Sequence, residues 1–340
     1  MSLSGPTEFE TIAAEDGLTG PGLEPERPGD TAEVKGRSLA SIAWRRLRQD
    51  KLALAGAVVI VLFVLMAVFA DVIAAIYGQS YATQHNDPGN GVLDPNTNLP
   101  IGDWGGISGK HWLGVTPSLG QDVFLLIVFG ARTSLTIAAL ATVLSLVLGV
   151  TLGVVAGYFR GWADVVISRI MDVLLSFPTL LFSLAAISVV ALITTATSAR
   201  IGIIVFVLGF FGFPYIGRIV RGQVLSLREK EFVEAARSLG ASNVRIMSRE
   251  VAPNLVGPLL VYTTLTIPNN ILGEAGLSFL GLGVQPPTPS WGQMMSDANT
   301  TFQYDPTYLI FPGLAIFLVV LAFNLFGDGL RDALDPKSTR

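Results

Sequence analysis

The chain reads as an all-α integral membrane protein with six transmembrane helices. Three observations carry that expectation: an apolar composition, six charge-free stretches of near-spanning length, and basic residues confined almost entirely to one side. Of 340 residues, 51% are hydrophobic and only 14% are charged, with a mean hydropathy of +0.57. An ordinary soluble domain carries about 25% charged residues. With Cys 0, disulfide scaffolds and thiolate chemistry are excluded, and the net charge of -4 argues against a broad nucleic-acid footprint.

A hydrocarbon layer about 30 Å thick takes about 20 helical residues to cross. The stretches Leu52–Ala70, Thr133–Phe159, Val173–Ala199, Ile201–Gly217, Val251–Gly273 and Pro306–Gly327 come close to or meet that length without a charge. Residues 275–296 are also uncharged, but Gly276, Gly281, Gly283, Pro286, Pro287 and Pro289 interrupt them. The apolar part, Ala275–Val284, reaches only about 15 Å as a helix and predicts a re-entrant or surface segment. Of the 22 Lys and Arg residues, all but Lys110, Arg132 and Arg200 fall on one side of these spans. Basic residues are retained in the cytoplasm, so both the N-terminus and the C-terminus are expected there, in agreement with an even number of crossings.

The organisation follows from the spans. Residues 1–36, with Glu8, Glu10, Glu15, Asp16, Glu24, Glu26, Asp30 and Glu33 among Pro and Gly, predict a disordered acidic cytoplasmic tail. Residues 37–76 form an N-terminal anchor with the first transmembrane helix, which is not a cleavable signal because a basic start followed at once by an apolar core is missing. An extracytoplasmic loop covers 77–132, a core with five further helices covers 133–330, and a cytoplasmic tail covers 331–340.

Several chemistries are absent from the pattern. Gly109-Lys110 is followed by His111 and lacks the earlier glycine of a phosphate-binding loop, so this chain is not expected to hydrolyse ATP. His85 and His111 lack short-spaced partners for zinc and read as ordinary loop histidines; no metal site is expected. Asp172, Glu274 and Asp328 each sit at a span end and read as interfacial or helix-end carboxylates rather than a proton relay. No catalytic constellation is expected.

The most informative segment is the cytoplasmic loop 225–254. Glu229–Leu239 places Phe232, Ala235 or Ala236, and Leu239 on one helical face, with Glu229, Lys230, Glu234 and Arg237 in water. Gly240 suits a helix end, and Ser242 or Asn243 suits the cap of a second helix through Met247 toward Pro253. Such a helix either docks in a partner's groove or lies on the membrane interface; the two small alanines suit the first, since interfacial helices carry larger apolar residues. Pro178, Pro214 and Pro268 lie inside spans, where a missing N–H kinks the helix, and are candidate hinges or static bends. Gly149, Gly153 and Gly157 recur every four residues and suit close helix packing.

Glu234-Ala235-Ala236-Arg237-Ser238-Leu239-Gly240, with Pro253 beyond it, resembles the EAA loop of ABC importer permeases. Further segments, among them Gly130-Ala131-Arg132-Thr133-Ser134-Leu135, Arg169-Ile170-Met171-Asp172, Gly273-Glu274-Ala275-Gly276-Leu277-Ser278-Phe279 and Asn324-Leu325-Phe326-Gly327-Asp328-Gly329, resemble the C-type permease of dipeptide and oligopeptide importers from about Leu39 to Pro336. Glu250, Ala252 and Gln121 depart from that family's usual residues. The resemblance implies a type I ABC importer permease fold in the bacterial cytoplasmic membrane and half of a translocation pathway for dipeptides or oligopeptides, with nickel, glutathione or haem as alternatives. It implies a second homologous permease subunit, one or two ABC ATPase subunits and an extracytoplasmic substrate-binding protein as partners. The chain itself holds no cofactor; ATP and Mg belong to the ATPase partners. It further implies that Phe232, Glu234, Ala235, Ala236, Arg237, Leu239 and Gly240 dock the ATPase. A secondary transporter or channel working alone fits six spans less well, because intramembrane coupling charges are missing and the Glu234–Gly240 pattern is left without a role.

Overall fold

A computed structural model describes residues 39–87, 91–193 and 196–334. The tail expected over 1–36 and the last residues of the tail 331–340 lie outside them. The described residues are helical, and their only strand-like pairings are isolated bridges, Leu93 with Pro100 and Val115 with Asp122.

Helix α1 spans Leu39–Leu47, and α2 spans Lys51–Val68. Asp50 caps α2 by accepting from the backbone N–H groups of Leu52 at 2.9 Å and Ala53 at 3.1 Å, satisfying two donors that a helix start leaves orphaned. After Phe69 the short α3, Ala70–Tyr77, ends at Gly78 in the left-handed region. Helix α4 then runs 37 residues, Val123–Phe159, and so starts before Arg132, where the charge-free criterion placed a loop. The reason is local neutralisation. The Arg132 guanidinium donates to the carbonyls of Ala67 at 2.9 Å and Val68 at 3.3 Å, at the end of α2, and pairs with Asp71 at 2.8 Å.

The third predicted span is broken. Helix α5, Gly161–Ser176, and α6, Thr179–Ile193, meet at 83°. Phe177 is extended there, as the residue before a proline prefers, and Pro178 cannot donate the bond that would continue α5. Helix α7, Thr197–Leu227, continues well past the expected end at Gly217 and carries Arg218 and Arg221 inside it. Both have partners on α5, Asp172 and Asp164, so the helix does not stop where its charges begin. Pro214 lies within α7 and Pro268 within α10, and neither interrupts its helix.

Helix α8, Glu231–Ser238, is followed by α9, Asn243–Arg245, a π-helical turn over Ile246–Val251, and α10, Ala252–Phe279. Helix α11, Trp291–Ala298, and α12, Thr307–Leu334, complete the described chain. Lys51–Val68, Val123–Phe159, Thr197–Leu227, Asn243–Phe279 and Thr307–Leu334 are each long and apolar enough to cross a membrane, and the bent α5–α6 pair makes up to six if it is one broken span.

The closest helix pair is α4 with α7. A Cβ added at Gly149 would stand 2.8 Å from the Cβ of Ile216, at Gly153 2.7 Å from the carbonyl oxygen of Gly217, and at Gly157 2.8 Å from the Cβ of Val224. The four-residue glycine period thus serves packing inside this chain, where dispersion and close backbone approach replace the hydrophobic effect. On the other flank, α2 packs on α12 through Gly56, whose Cβ would meet the carbonyl oxygen of Ala322 at 2.6 Å.

Of the re-entrant and surface readings of residues 275–296, burial removes the second, since only 279–281 and 286–287 are exposed. Helix α10 continues to Phe279, and α11 is buried against α10, α12 and α4. Trp291 is fully buried, and its indole N–H donates to the Ile127 carbonyl at 3.1 Å. Glu274, expected at an interface, is also fully buried. Ser134 and Ser278 donate to its carboxyl group at 2.8 and 2.7 Å, and the Trp291 backbone N–H donates to Ser134 at 3.3 Å. Burial of a polar group is tolerable only with such partners.

Gly153→Val is expected to lower the apparent melting temperature of the purified chain, corresponding to about 1–3 kcal/mol of overpacking. Gly257→Ala, at a helical glycine with nothing within 4 Å, is expected to leave it unchanged. Equal melting curves for the two variants would contradict the α4–α7 packing.

Candidate functional site

The connection between α7 and α10 is built on the end of α4. Lys230 is extended and opens α8, and Glu231 and Glu234 fall in the first turn while Arg237 falls in the last, each on the end that the helix dipole favours. At the other end the Gly240 N–H donates to Arg237 O at 3.0 Å and the Ala241 N–H to Ala236 O at 3.1 Å. This paired closure requires a left-handed residue, and Gly240 has φ +77. Ser242 then caps the next helix by accepting from Arg245 N–H. The two-helix layout expected over 225–254 is present, but the second helix does not end near Pro253; it passes through the π turn into α10.

Val233 decides which side of α8 faces in. It is fully buried among Val220, Val224, Ile246, Val251, Leu255 and Tyr158, with Ala236 and Ala241 packed beside it. Of the two alanines that the sequence leaves open, Ala235 is the one that shares a face with Phe232 and Leu239. Phe232 at 40% exposure, Ala235, and Leu239 at 88% point outward, whereas Ala236 turns inward. Glu234, Arg237 and Gly240 are exposed. Val233 was hidden in the sequence because its neighbour Phe232 is the larger apolar residue; the signal that marks it is the spacing of Val233 and Ala236, repeated past the turn by Ala241.

Polar contacts fasten this unit. The Arg228 guanidinium donates to the Tyr158 carbonyl and lies 5.9 Å from the centre of its ring. The Tyr158 hydroxyl donates to Asn243 Oδ1 at 2.9 Å. Arg160, at the α4–α5 turn, pairs with Glu229 at 2.6 Å. One helix end thus holds both sides of the α8 hairpin. Next to it, Arg221 grips Asp164 with two nitrogens, one at 2.7 Å, and Asp172 pairs with Arg218 and, at 3.7 Å, with Arg169.

Of the candidate hinges, Pro178 stands at the 83° break, beside a cleft of about 380 Å³ lined by Arg169, Asp172, Val173, Ser176, Phe177 and Pro178. Pro214 and Pro268 are buried within continuous helices. At the opposite pole the two histidines do have neighbours. His111 Nδ1 lies 2.9 Å from Asp122 Oδ2, the Tyr77 hydroxyl lies 3.0 Å from the same oxygen, and the two imidazole rings are 5.4 Å apart. Burial pushes the Tyr77 phenol up to about 12, so it remains a donor. Gln121, one of the departures, donates to the Tyr81 carbonyl at 3.0 Å and so ties this loop to the end of α3. Among the described residues no group of three or more metal-ligating side chains could hold an ion.

The sequence matches the family described as "Binding-protein-dependent transport system inner membrane component" over residues 149–340 and the family described as "N-terminal TM domain of oligopeptide transport permease C" over 38–96. The dipeptide transport system permease protein DppC of Alkalihalophilus pseudofirmus is 40% identical over 92% of this chain and 95% of its own length. The glutathione transport system permease protein GsiD of Escherichia coli is 40% identical over 86% of this chain and 89% of its own. In fold, an inward-facing crystal form of the MetNI methionine ABC transporter matches with a TM-score of 0.51, at 20% identity, covering 62% of this chain and 97% of that one.

Val233→Ala is expected to destabilise by about 1–3 kcal/mol, because it empties a fully buried site. Phe232→Ala, half exposed, is expected to change stability by less than about 0.5 kcal/mol. Thermal unfolding of the two purified variants checks the orientation of α8; a larger loss from Phe232→Ala would reverse it.

Proposed function

The chain belongs to the binding-protein-dependent transport system inner membrane components, and from that membership we propose that it forms half of the translocation pathway of an ATP-driven peptide importer. In this proposal a second homologous permease supplies the other half, one or two ABC ATPases bind at the α8 pole, and a substrate-binding protein delivers cargo at the pole that carries His111 and Asp122. The α8 pole faces the cytoplasm in this proposal, because the basic residues concentrate on that side of the spans. Dipeptides or oligopeptides are the proposed cargo; the two relatives named above, one for dipeptides and one for glutathione, both support a short peptide class. ATP hydrolysis belongs to the partner, since this chain lacks a phosphate-binding loop.

A single observation carries the docking assignment. Phe232 and Ala235 on α8, with Leu239 at its C-cap, form an outward stripe at positions i, i+3 and i+7, turned around the axis from the buried Val233 that seats the helix. An apolar helix face held rigid by its own core is suited to insertion in a groove. Glu234 and Arg237 flank the stripe as polar rim contacts, and the small Ala235 and Gly240 permit close approach. Ala236 contributes indirectly, by seating the helix. Closure of two ATPases on ATP would draw two such loops together and reorient the spans as rigid bodies.

Co-expression with the adjacent reading frames and purification through this chain tests the assignment. An ATPase is expected to copurify with the wild type, to be lost with Leu239→Asp or Gly240→Arg, and to be retained at least tenfold less tightly with Phe232→Ala, a loss typical of a central apolar anchor. A Leu239→Asp chain that still inserts, keeps its ATPase and supports peptide uptake would refute docking through α8.

A further inference from the structure

We propose that the ion pairs Asp164–Arg221 and Asp172–Arg218 transmit displacement of the docking loop to the bend at Pro178, so that α5 acts as the moving arm of the transport switch. This rests on the docking assignment for α8.

The first premise is that α7 and α4 move together. Their glycine contacts leave no room for sliding, because each absent Cβ marks a backbone approach that a shift would turn into a clash. The docking loop is bonded to the ends of both helices, through Arg228 to Tyr158 and through Arg160 to Glu229. A pull on α8 therefore reaches α4 and α7 as one body.

Helix α5 is attached differently. It packs chiefly on α4 and α7, and Met171 is its one buried side chain among the described residues, seated against Gly217. Trp162 at 79% exposure, with Val165, Val166, Ile170 and Val173, faces away from this chain. With so little apolar surface buried, the link between α5 and the α4–α7 body is largely ionic. Asp164, Ser168 and Asp172 form one stripe at four-residue spacing, and Ser168 donates to Asp164 at 3.1 Å. Arg221 and Arg218 stand three residues apart on α7 and meet the two carboxylates in antiparallel order. The Asp164–Arg221 pair is partly shielded, with side-chain exposures of 17% and 34%, whereas Asp172 and Arg218 stand at 42% and 51%. A shielded carboxylate that loses its guanidinium is less favourable than one in water. The contact is thus strong yet reversible, unlike an interdigitated apolar seam.

The far end of α5 supplies the place to move. Asp172 both pairs with Arg218 and lines the cleft of about 380 Å³ at the Phe177–Pro178 break. Rotation of α5 about that break would carry α6 without rupturing a helical hydrogen-bond ladder, since Pro178 has already removed the bond. The remaining candidate hinges lie in unbroken helices and offer no such freedom.

The chain has no cysteine, so introduced labels are unambiguous. Nitroxides at Ile76→Cys and Leu192→Cys, both strongly exposed, report the separation of α6 from α3 by pulsed electron resonance. They are placed in the copurified complex, with and without ATP in the presence of a hydrolysis-blocking ATPase variant. The wild-type separation is expected to change on ATP binding. Asp164→Asn with Asp172→Asn is expected to lose most of that change while the ATPase still copurifies, with ATP turnover retained in the hydrolysing complex and uptake reduced at least tenfold. Exchanging the charges, with Asp164→Arg and Arg221→Asp, is expected to restore uptake relative to Asp164→Arg alone. A full-sized change in the neutralised complex, or no recovery in an assembled charge exchange, would overturn the proposal. So would failure of the neutralised chain to assemble, which would make the pairs structural clamps. A wild-type chain that brings down no ATPase would instead remove the docking assignment, and this inference with it.

Discussion

The approach of α4 to α7 is the constraint on which the α8 pole depends. Three glycines on α4 bring the backbone of α7 near enough that single methyl groups would collide with a carbonyl or a β-carbon. That closeness places Tyr158, at the end of α4, where it can receive Arg228 from the end of α7 and donate to Asn243 at the start of α9. The cluster beneath α8, from Val220 and Val224 through Ile246 and Leu255, is filled from the same two helices and α10. A wider α4–α7 separation would open that cluster and leave Val233 without a site.

A second principle runs through the molecule: a charge within a long helix is accepted where a partner from another element meets it. Arg132 lies inside α4 because the carbonyls ending α2 and the carboxylate of Asp71 receive it. Arg218 and Arg221 lie inside α7 because α5 presents two carboxylates. Glu274 is buried in α10 between serines of α4 and α10, and the same Ser134 accepts from the backbone of α11. These contacts also hold together elements that bury little apolar surface against one another, which is a real difficulty when the surrounding solvent is itself apolar.

The two sides of α8 contribute unequally to the fold. The inward face, Val233 and Ala236, is part of the folding core, and its contribution is to stability. The outward face, Phe232, Ala235 and Leu239, contributes little to the isolated chain and is available to a partner. Rigid presentation of that face lowers the ordering cost of association. The turn at Gly240 fixes where the stripe ends, because only a residue at ease with positive φ closes both terminal carbonyls.

Composition, the positions of the apolar stretches and the spacing of Gly240 and Ser242 determined the all-helical membrane class and the layout of the α8 hairpin, while the resemblance of Glu234–Gly240 and its companion segments carried the importer family. These features are legible because they follow from local rules: hydrophobic length, helix-ending chemistry and the distribution of charge along the chain. What only the tertiary structure decided were the choices that depend on a distant partner. A charge-free criterion stops spans at Arg132 and Arg218, since their neutralising groups lie far away in sequence. Glu274 reads as an interfacial or helix-end carboxylate and Trp291 falls in a re-entrant or surface segment, since Ser134 and the Ile127 carbonyl that meet them come from another helix. Whether Ala235 or Ala236 shares the face of Phe232 stays open in the sequence, since a periodicity with two apolar neighbours does not say which one meets the core. In each case the sequence names the group and its local geometry, while the free energy of burying it is set by atoms that folding brings from elsewhere.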